Sequence, residues 1–282
     1  FKQKTAYEIG VRLVGSEMCI RDRARFLVEL LGHWPSESTR FVRSTTVMND
    51  LRMCKDAAEV AALQAAGAAA DRVAGQLQRG EIPLLGRTEA SVSADISARL
   101  IAEGHDVVNF AIVAAGENAA SPHHHPGERV VREGDLVLCD FGGTMAGYCS
   151  DITRCVSLGA PSAEVADAYA VLHEAQAAGV AAGVVGAACQ DVDRASREVI
   201  ADAGYGEFFI HRTGHGIGME AHEDPYMVEG NALPIAAGHA FSVEPGIYVP
   251  GKWGMRLEDI VVATGDGPLS LNHADHALVT LG

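Results

Sequence analysis

Two periodicities divide the chain. Apolar residues at i, i+3 and i+4 run through Cys54–Arg79, CKDAAEVAALQAAGAAADRVAGQLQR, and predict a helix closed by Gly80. A loop with Pro83 and Gly86 follows, and Thr88 is the expected N-cap of a second helix that ends near Glu103, before Gly104. The pattern then changes to a run of β-formers, VVNFAIVAA, which predicts a strand over Val107–Ala115. From Pro161 the order begins again. A helix is expected over Ser162–Ala182 with Ser162 as N-cap, and another over Gln190–Ala203 ended by Gly204. Short strands around Glu207–His211 and at Leu278–Leu281 complete the pattern.

Two further segments read as β-hairpins. In Asp135–Leu158, DLVLCDFGGTMAGYCSDITRCVSL, apolar runs flank a Gly-Gly-Thr-Met-Ala-Gly turn signal. Folding this segment about Met145–Ala146 sets Asp140 opposite Asp151. In Phe241–Ala263, FSVEPGIYVPGKWGMRLEDIVVA, the turn is Pro250-Gly251-Lys252, and folding about Gly251 sets Glu244 opposite Glu258. Side chains directly opposed across an antiparallel pair sit about 4.5–5.5 Å apart at Cβ, where like charges repel. Carboxylates so paired in an apolar setting need a cation or a shared proton. Two such pairs, arising from independent turns, point to a metal site where the hairpins converge.

Helix, helix, strand and hairpin thus occur twice, at a spacing of about a hundred residues. This internal repeat predicts an α+β domain of two pseudo-symmetric halves around a central site, with helices packed outside largely antiparallel sheet. The flanking sequence reads differently. Residues 1–23, FKQKTAYEIGVRLVGSEMCIRDR, resemble translated cloning or adapter sequence and are set aside as a non-native leader, with a genuine amphipathic leader as the alternative. Residues 24–50 read as the remnant of an amino-terminal domain and a linker. Within this region ARFLVELLG is a short helix, and FVRSTTVMNDLRM is a connection into residues 51–282, the expected catalytic domain.

Composition narrows the function classes. A hydrophobic content of 48% with 21% charged residues is that of an ordinary globular protein. A net charge of −15 with no basic stripe argues against a nucleic-acid partner. No apolar run reaches about 18 residues, so no membrane span is expected. Six cysteines without a C-x-x-C spacing favour a reduced, cytoplasmic setting. Cys139, Cys149 and Cys155 lie in the first hairpin and offer a thiolate alternative for zinc, against which small buried strand thiols are the commoner use.

Between the acid pairs lies Thr213-Gly214-His215-Gly216-Ile217-Gly218, whose glycines let backbone approach closely and leave the imidazole open. Asp140, Asp151, His215, Glu244 and Glu258 are therefore the candidate ligands. The mostly oxygen donor set suits two divalent ions, Mn²⁺ first, with Co²⁺ and Zn²⁺ as alternatives. Ions paired about 3.5–4 Å apart can activate a bridging water against a peptide carbonyl. Arg256, two residues before Glu258, shares its strand face. It can pair bidentately with the free carboxylate of a short peptide, or serve only to neutralise the acids.

The order D-x10-D, TGHGIG, EPGIY, RLED resembles the pita-bread metallopeptidases, the superfamily of methionine aminopeptidase, aminopeptidase P and prolidase, from about Leu51 to Leu281. The resemblance implies that Asp140 holds one ion, that His215 and Glu244 hold the other, and that Asp151 and Glu258 bridge both. It further implies that Glu244 takes a proton from the attacking water. It makes His123, in SPHHHPG, the histidine touching substrate, with His124 and His125 at the surface. His222, in MEAHEDP, stabilises the tetrahedral intermediate or protonates the leaving nitrogen, and His211 is a further catalytic histidine. The activity implied is hydrolysis of Xaa-Pro bonds in dipeptides or short peptides, since proline lacks an amide proton and locks φ. Aminopeptidase P action on longer peptides is the alternative, then methionine aminopeptidase. A homodimer is the assembly to expect, and the family's amino-terminal domain is mostly missing here. Metal-free creatinase-like hydrolases and non-catalytic binding modules share the fold but lack the full ligand set.

Overall fold

Each of the four long helices begins where side chains satisfy its first amides. In the computed structural model, which describes residues 45–282 and side chains from Met48 onward, α2 (Ala57–Gln78) starts at a reciprocal cap. Asp56 accepts from the amides of Ala58 and Glu59, while the Glu59 carboxylate accepts from the amide of Asp56. Thr88 caps α3 (Glu89–Ala102), and Ser162 caps α4 (Ala163–Ala182). For α5 (Cys189–Asp202), whose cap position is Ala188, Asp191 reaches back to the Ala188 amide. Gly80, Gly104 and Gly204 follow α2, α3 and α5 at positive φ, a conformation open to glycine.

Two expectations for local structure are corrected. The segment expected as a linker contains α1 (Thr45–Met53), because TTVMNDLRM carries no breaker and Asn49 and Arg52 bond to the chain near residue 220. In place of strands at Glu207–His211 there is a 3-10 turn, Gly206–Phe208. The helix expected in ARFLVELLG, the leader 1–23 and Cys19 lie outside the described residues.

Met48–Gly282 forms one compact unit. Its first half contributes β1 (Val107–Ala115), β2 (Leu136–Met145), β3 (Tyr148–Cys149) and β4 (Ile152–Leu158). With the carboxy-terminal β12 (Val279–Leu281) they make a sheet of order β1-β2-β4-β12, with β3 paired to β2. Only β12 runs parallel to its neighbour in that sheet. The second half contributes β5 (Gly214–Gly216), β6 (Glu223–Met227), β7 (Ala240–Val243), β10 (Asp259–Thr264) and β11 (Gly267–Ser270), in the order β11-β10-β7-β5-β6. Between β7 and β10 the ribbon continues as a separate pair, β8 (Gly246–Val249) and β9 (Trp253–Arg256). The halves repeat even in detail: a bridge pairs Thr88 with Val130 at the start of α3, and another pairs Ala188 with Pro234 at the start of α5.

Burial on both faces of β2 aims the site. Val137, Cys139 and Phe141 pack with α2 and α3 in one core, while Leu136 and Leu138 pack on the opposite side with α4, β8 and β9. By the two-residue repeat of a strand, Asp140 shares the face of Leu136 and Leu138, toward the ribbon of the second half.

The two hairpin registers differ in outcome. The second is as expected: Val249 faces Trp253, Gly246 faces Arg256, and Val243 faces Asp259. The same register sets Glu244 opposite Glu258 at the break between the two pairs. In the first hairpin Asp140 faces Thr153, not Asp151. The turn is centred on Ala146–Gly147, both at positive φ, and not on Met145–Ala146. The slip is two residues, so side-chain parity is kept and Asp140 and Asp151 are diagonal neighbours on one face.

Candidate metal centre

Five chemically matched side chains meet where the two halves join. Asp140 comes from β2, Asp151 from the residue before β4, His215 from the middle of β5, Glu244 from the residue after β7, and Glu258 from the step between β9 and β10. Asp140, Asp151, His215 and Glu258 are buried and Glu244 is nearly so, with a side chain 14% exposed. Among the described residues, ligating atoms of Asp151, His215 and Glu258 all lie within 4.8 Å of one another. His215 Nε2 is 3.3 Å from Glu244 Oε1 and 3.7 Å from Asp151 Oδ2.

The electrostatics of this group call for cations. Burial, then the charges of Glu258, Asp140 and Glu244, push the Asp151 carboxyl well above the ordinary carboxylate range. Burial and the charges of Glu244 and Asp140 do the same to Glu258. Burial pushes Glu244 up to about 7, against the opposing pull of Arg256 and Arg212. Buried Asp140 Oδ1 and Asp151 Oδ1 have no hydrogen-bond partner. His215 Nδ1 donates to the Gly216 carbonyl at 3.0 Å, which leaves the lone pair of Nε2 facing acceptor oxygens. Burial holds that imidazole well below its ordinary pKa, so it is neutral. Orphaned carboxylate oxygens around a neutral imidazole nitrogen are the donor set of a divalent cation site, and the five residues fit the ions that such a set selects.

Arg256 occupies the centre of this arrangement. Its guanidinium bonds Asp140 Oδ2, Thr153 Oγ1 at 3.1 Å and Tyr248 Oη at 2.8 Å, with a longer contact to the Pro122 carbonyl. The chain extends outward. Tyr248 Oη donates to His211 Nε2 at 2.9 Å, and His211 Nδ1 donates to the Arg212 carbonyl. Burial, with Arg256 nearby, lowers the His211 pKa to about 3 and keeps it neutral. Thr153 also donates to Glu258 Oε2 at 2.6 Å, so one hydroxyl ties Arg256 to a candidate ligand across the two halves.

The outer histidines separate by position. The His222 ring lies 4.1 Å from that of His215, centroid to centroid. His123 is exposed, yet its titration feels Arg256, Asp140 and Arg212, so it faces the mouth of the site. His124 is not a free surface residue as expected. It bonds Glu89, a fully buried carboxylate that also accepts from the Ala115 amide and from Asn118, and so it anchors the loop that presents His123. His125 is exposed. The cysteines contribute no ligand to this cluster. Cys139, Cys149 and Cys155 are buried free thiols, and burial pushes the Cys155 thiol up to about 11.

Three participants escaped the motif reading. Tyr248 closes the EPGIY motif but has no role in that reading, and Thr153 looks like an ordinary strand residue that only pairing across the ribbons reveals. Arg212 sits inside HRTGHG, so the motif itself was the available signal. Its charge is felt at His123, His211, His215, His222 and Glu244. Its guanidinium stacks 5.0 Å from the Tyr226 ring, and its buried Nε has no partner.

Known proteins share this sequence and architecture. The pattern of metallopeptidase family M24 matches residues 60–265. A protein named probable dipeptidase PepE, from Mycobacterium tuberculosis, is 49% identical over 241 residues, covering 85% of this chain and 64% of that protein. An Xaa-Pro dipeptidase of Lactobacillus helveticus is 42% identical over 252 residues, covering 88% of this chain and 67% of the other. The crystal structure of dipeptidase PepE from Mycobacterium ulcerans superposes with a TM-score of 0.82 at 52% identity, over 85% of this chain and 65% of that one. The chain thus spans somewhat under two thirds of the length of the PepE proteins it matches. A match over most of its length, together with the shared fold, makes this chain a member of metallopeptidase family M24.

Proposed function

We propose that residues 51–282 form the catalytic domain of a dinuclear metallopeptidase that hydrolyses the Xaa-Pro bond of dipeptides and short peptides. The observation that carries this reading is the acid cluster itself, in which Asp151, Glu244 and Glu258 gather around His215 and the buried Oδ1 atoms of Asp140 and Asp151 are left unpaired. Proline specificity is drawn from the L. helveticus relative, which is named an Xaa-Pro dipeptidase. By this reading Asp140, Asp151, His215, Glu244 and Glu258 hold two divalent ions, which when bound polarise the scissile carbonyl and lower the pKa of water. Manganese suits the oxygen-rich donor set, with cobalt and zinc as the alternatives.

The protein's own groups have separable tasks. Glu244, oriented by the Ser242 hydroxyl at 3.1 Å, takes the proton of the attacking water at its carboxylate. Partial desolvation lowers the pKa of His222 and of His123, and both rings are available to donate a hydrogen bond to the reacting amide. His211 orients Tyr248, and through it Arg256. The carboxylate-binding role expected of Arg256 passes to Arg212. Arg256 spends its donors on Asp140, Thr153 and Tyr248, whereas Arg212 faces the same histidines with a buried donor unpaired. A cation placed to meet a free C-terminus favours dipeptides over longer chains.

The five described cysteines are free, which accords with a reducing, cytoplasmic setting. The test is to strip divalent ions with a chelator, restore Mn²⁺, Co²⁺ or Zn²⁺ singly, and compare rates on Ala-Pro, Ala-Pro-Ala and Met-Ala-Ser. Metal-dependent cleavage fastest on Ala-Pro is the expected result. Preference for Ala-Pro-Ala would make the protein an aminopeptidase P, and preference for Met-Ala-Ser a methionine aminopeptidase. Cleavage unaffected by complete metal removal would overturn the assignment.

A further inference from the structure

His222 stands on a loop with little regular structure of its own, between Gly218 and β6, yet it must hold a defined place beside His215. What fixes the loop comes from far away in sequence. Lys55 Nζ and Arg52 Nη2 each donate to the Glu223 carboxylate at 2.6 Å, Arg52 Nη1 reaches Glu220 at 3.3 Å, and Asn49 Nδ2 bonds Asp224. These contacts bracket His222 on both sides. The ion pair of Lys55 with Glu223 is buried, with side chains 1% and 8% exposed. A buried pair of this kind adds little net stability, yet removing either partner leaves an uncompensated charge.

The clamp is anchored at its other end. The Lys55 amide donates to the Gly238 carbonyl at 2.8 Å, and Cys54 bridges to His239. The loop in turn packs closely on the pair. A Cβ added to Gly218 would lie 2.5 Å from Glu223 Oε1 and 3.0 Å from Lys55 Cε. The Gly218 carbonyl accepts from the Cys149 amide at 2.8 Å, which ties the same loop to the first hairpin. No other described basic side chain bonds Glu223.

We propose that Asn49, Arg52 and Lys55 are positioning residues that hold Glu220, Glu223 and Asp224 so that His222 is presented to the metal centre. The segment that does this precedes residue 60, where the family match begins. The inference rests on the proposed role of His222 for its kinetic consequence, but not for its structural one. Loss of the clamp frees the loop to sample positions displaced by an ångström or more, a displacement that costs about 100-fold in rate when it moves a reacting group.

The experiment compares Lys55→Met, Arg52→Ala and Lys55→Arg with the parent protein, by amide hydrogen exchange and by kinetics on Ala-Pro at saturating Mn²⁺. For Lys55→Met, exchange over residues 218–224 should rise about tenfold or more while β2 and β4 stay protected. Bound metal should remain at the parent level. The kcat should fall roughly 10–100-fold with KM nearly unchanged, and Lys55→Arg should recover most of the loss. Should Lys55→Met not fold, Arg52→Ala and Asn49→Ala, which leave the buried amine in place, are expected to show the same local exchange at smaller amplitude. Unchanged exchange in the loop would overturn the proposal, and so would a freed loop with parent kcat in an active enzyme. Exchange is read whether or not the protein cleaves Ala-Pro, so failure of the activity assignment and failure of the clamp are distinguishable.

Discussion

Removing the divalent ions and raising the pH from 6.5 to 8.0 should destabilise this protein. In the folded state Asp151 and Glu258 titrate well above the ordinary range and Glu244 near 7. In the unfolded chain these groups titrate near 4. A folded pKa that is raised means that the folded state holds the extra protons. Its stabilising contribution is complete below about pH 4 and is lost as the pH climbs through the folded value. The histidines oppose this trend: as unfolded imidazoles lose their protons, His211 and His215, neutral in the fold, each regain about 0.4 kcal/mol between pH 6.5 and 8.0. The buried thiols add a loss of about 0.2 kcal/mol each by pH 8.0, because free cysteine ionises near 8.5. The acids are therefore read from the difference between metal-free and metal-loaded protein. Over this window Glu244 alone loses about 0.8 kcal/mol, from its values of about 7 folded and 4.5 unfolded. Asp151 and Glu258 can each add up to about 1.4 kcal/mol per pH unit while they keep their protons. Because the three share one pocket and ionise in turn, the acids together contribute a loss of about 1–3 kcal/mol, seen as a Tm of the metal-free protein that falls by at least 2–4 °C relative to the metal-loaded form. Thermal unfolding of chelated, desalted protein at pH 6.5, 7.25 and 8.0 measures it, and metal-loaded protein should show little or none of the fall. A Tm gap between metal-free and metal-loaded protein that stays constant or narrows across this window would refute the argument.

Asp140→Asn should lower bound metal as well as rate, and elemental analysis showing parent occupancy would count against its role as a ligand. Arg256→Met leaves Asp140 without its buried partner and should destabilise the metal-free protein by about 3–5 kcal/mol in urea unfolding. Arg212→Leu should raise KM for Ala-Pro about 10–100-fold and leave Ala-Pro-amide, which has no carboxylate to pair, nearly unaffected. Gly142→Ala would set a Cβ 2.1 Å from the Ser150 carbonyl oxygen, one residue before Asp151. It should cost about 1–3 kcal/mol and weaken metal binding in an isothermal titration.

How much of this was legible in sequence depended on whether a contact was local. The second hairpin reads correctly because Pro250 and Lys252 flank Gly251 in a compact turn signal, and Gly251 alone of that segment's glycines takes positive φ. In the first, Gly142, Gly143 and Gly147 all compete to be that mark, and the true centre includes Ala146, an alanine at positive φ that no preference favours. The error left the site intact only because a slip of two preserves the side of the strand. Helix caps were equally local, and Thr88 and Ser162 serve as read. By contrast, His124 looks like one of three surface histidines until Glu89, 35 residues earlier, is found beneath it. The helix α1 is held by partners about 170 residues away, and no periodicity of nine residues reveals that. The double commitment of Arg256 to Asp140 and Tyr248 depends likewise on ribbons from different halves, so a reading limited to its own strand leaves both of its roles open.

Why the cage does not relax by turning its acids outward follows from how their backbones are held. The Glu244 amide donates to the Thr213 carbonyl at 2.7 Å, and the Glu258 amide donates to Thr153 across the seam. The His215 amide donates to Ser242 Oγ at 3.0 Å. Behind Glu258, the fully buried Arg154 spends its guanidinium on the carbonyls of Thr153, Glu258, Ala274 and Asp275 and on Asp259. Burial would raise the Asp259 carboxyl, but bonds from His276 and Arg154 hold it low, so this second acid stays charged and keeps Arg154 in place. None of these contacts uses a carboxylate oxygen or an imidazole nitrogen of the five candidate ligands. The acids are therefore held close together by a frame indifferent to their repulsion, and that repulsion is relieved by protons or by cations, not by motion. A centre built this way has the backbone of its ligands fixed by protein contacts, which favours a defined coordination over a loose one. The same rigidity makes the metal-free protein less stable wherever the pH strips the compensating protons, so the stability profile and the metal affinity have one physical origin.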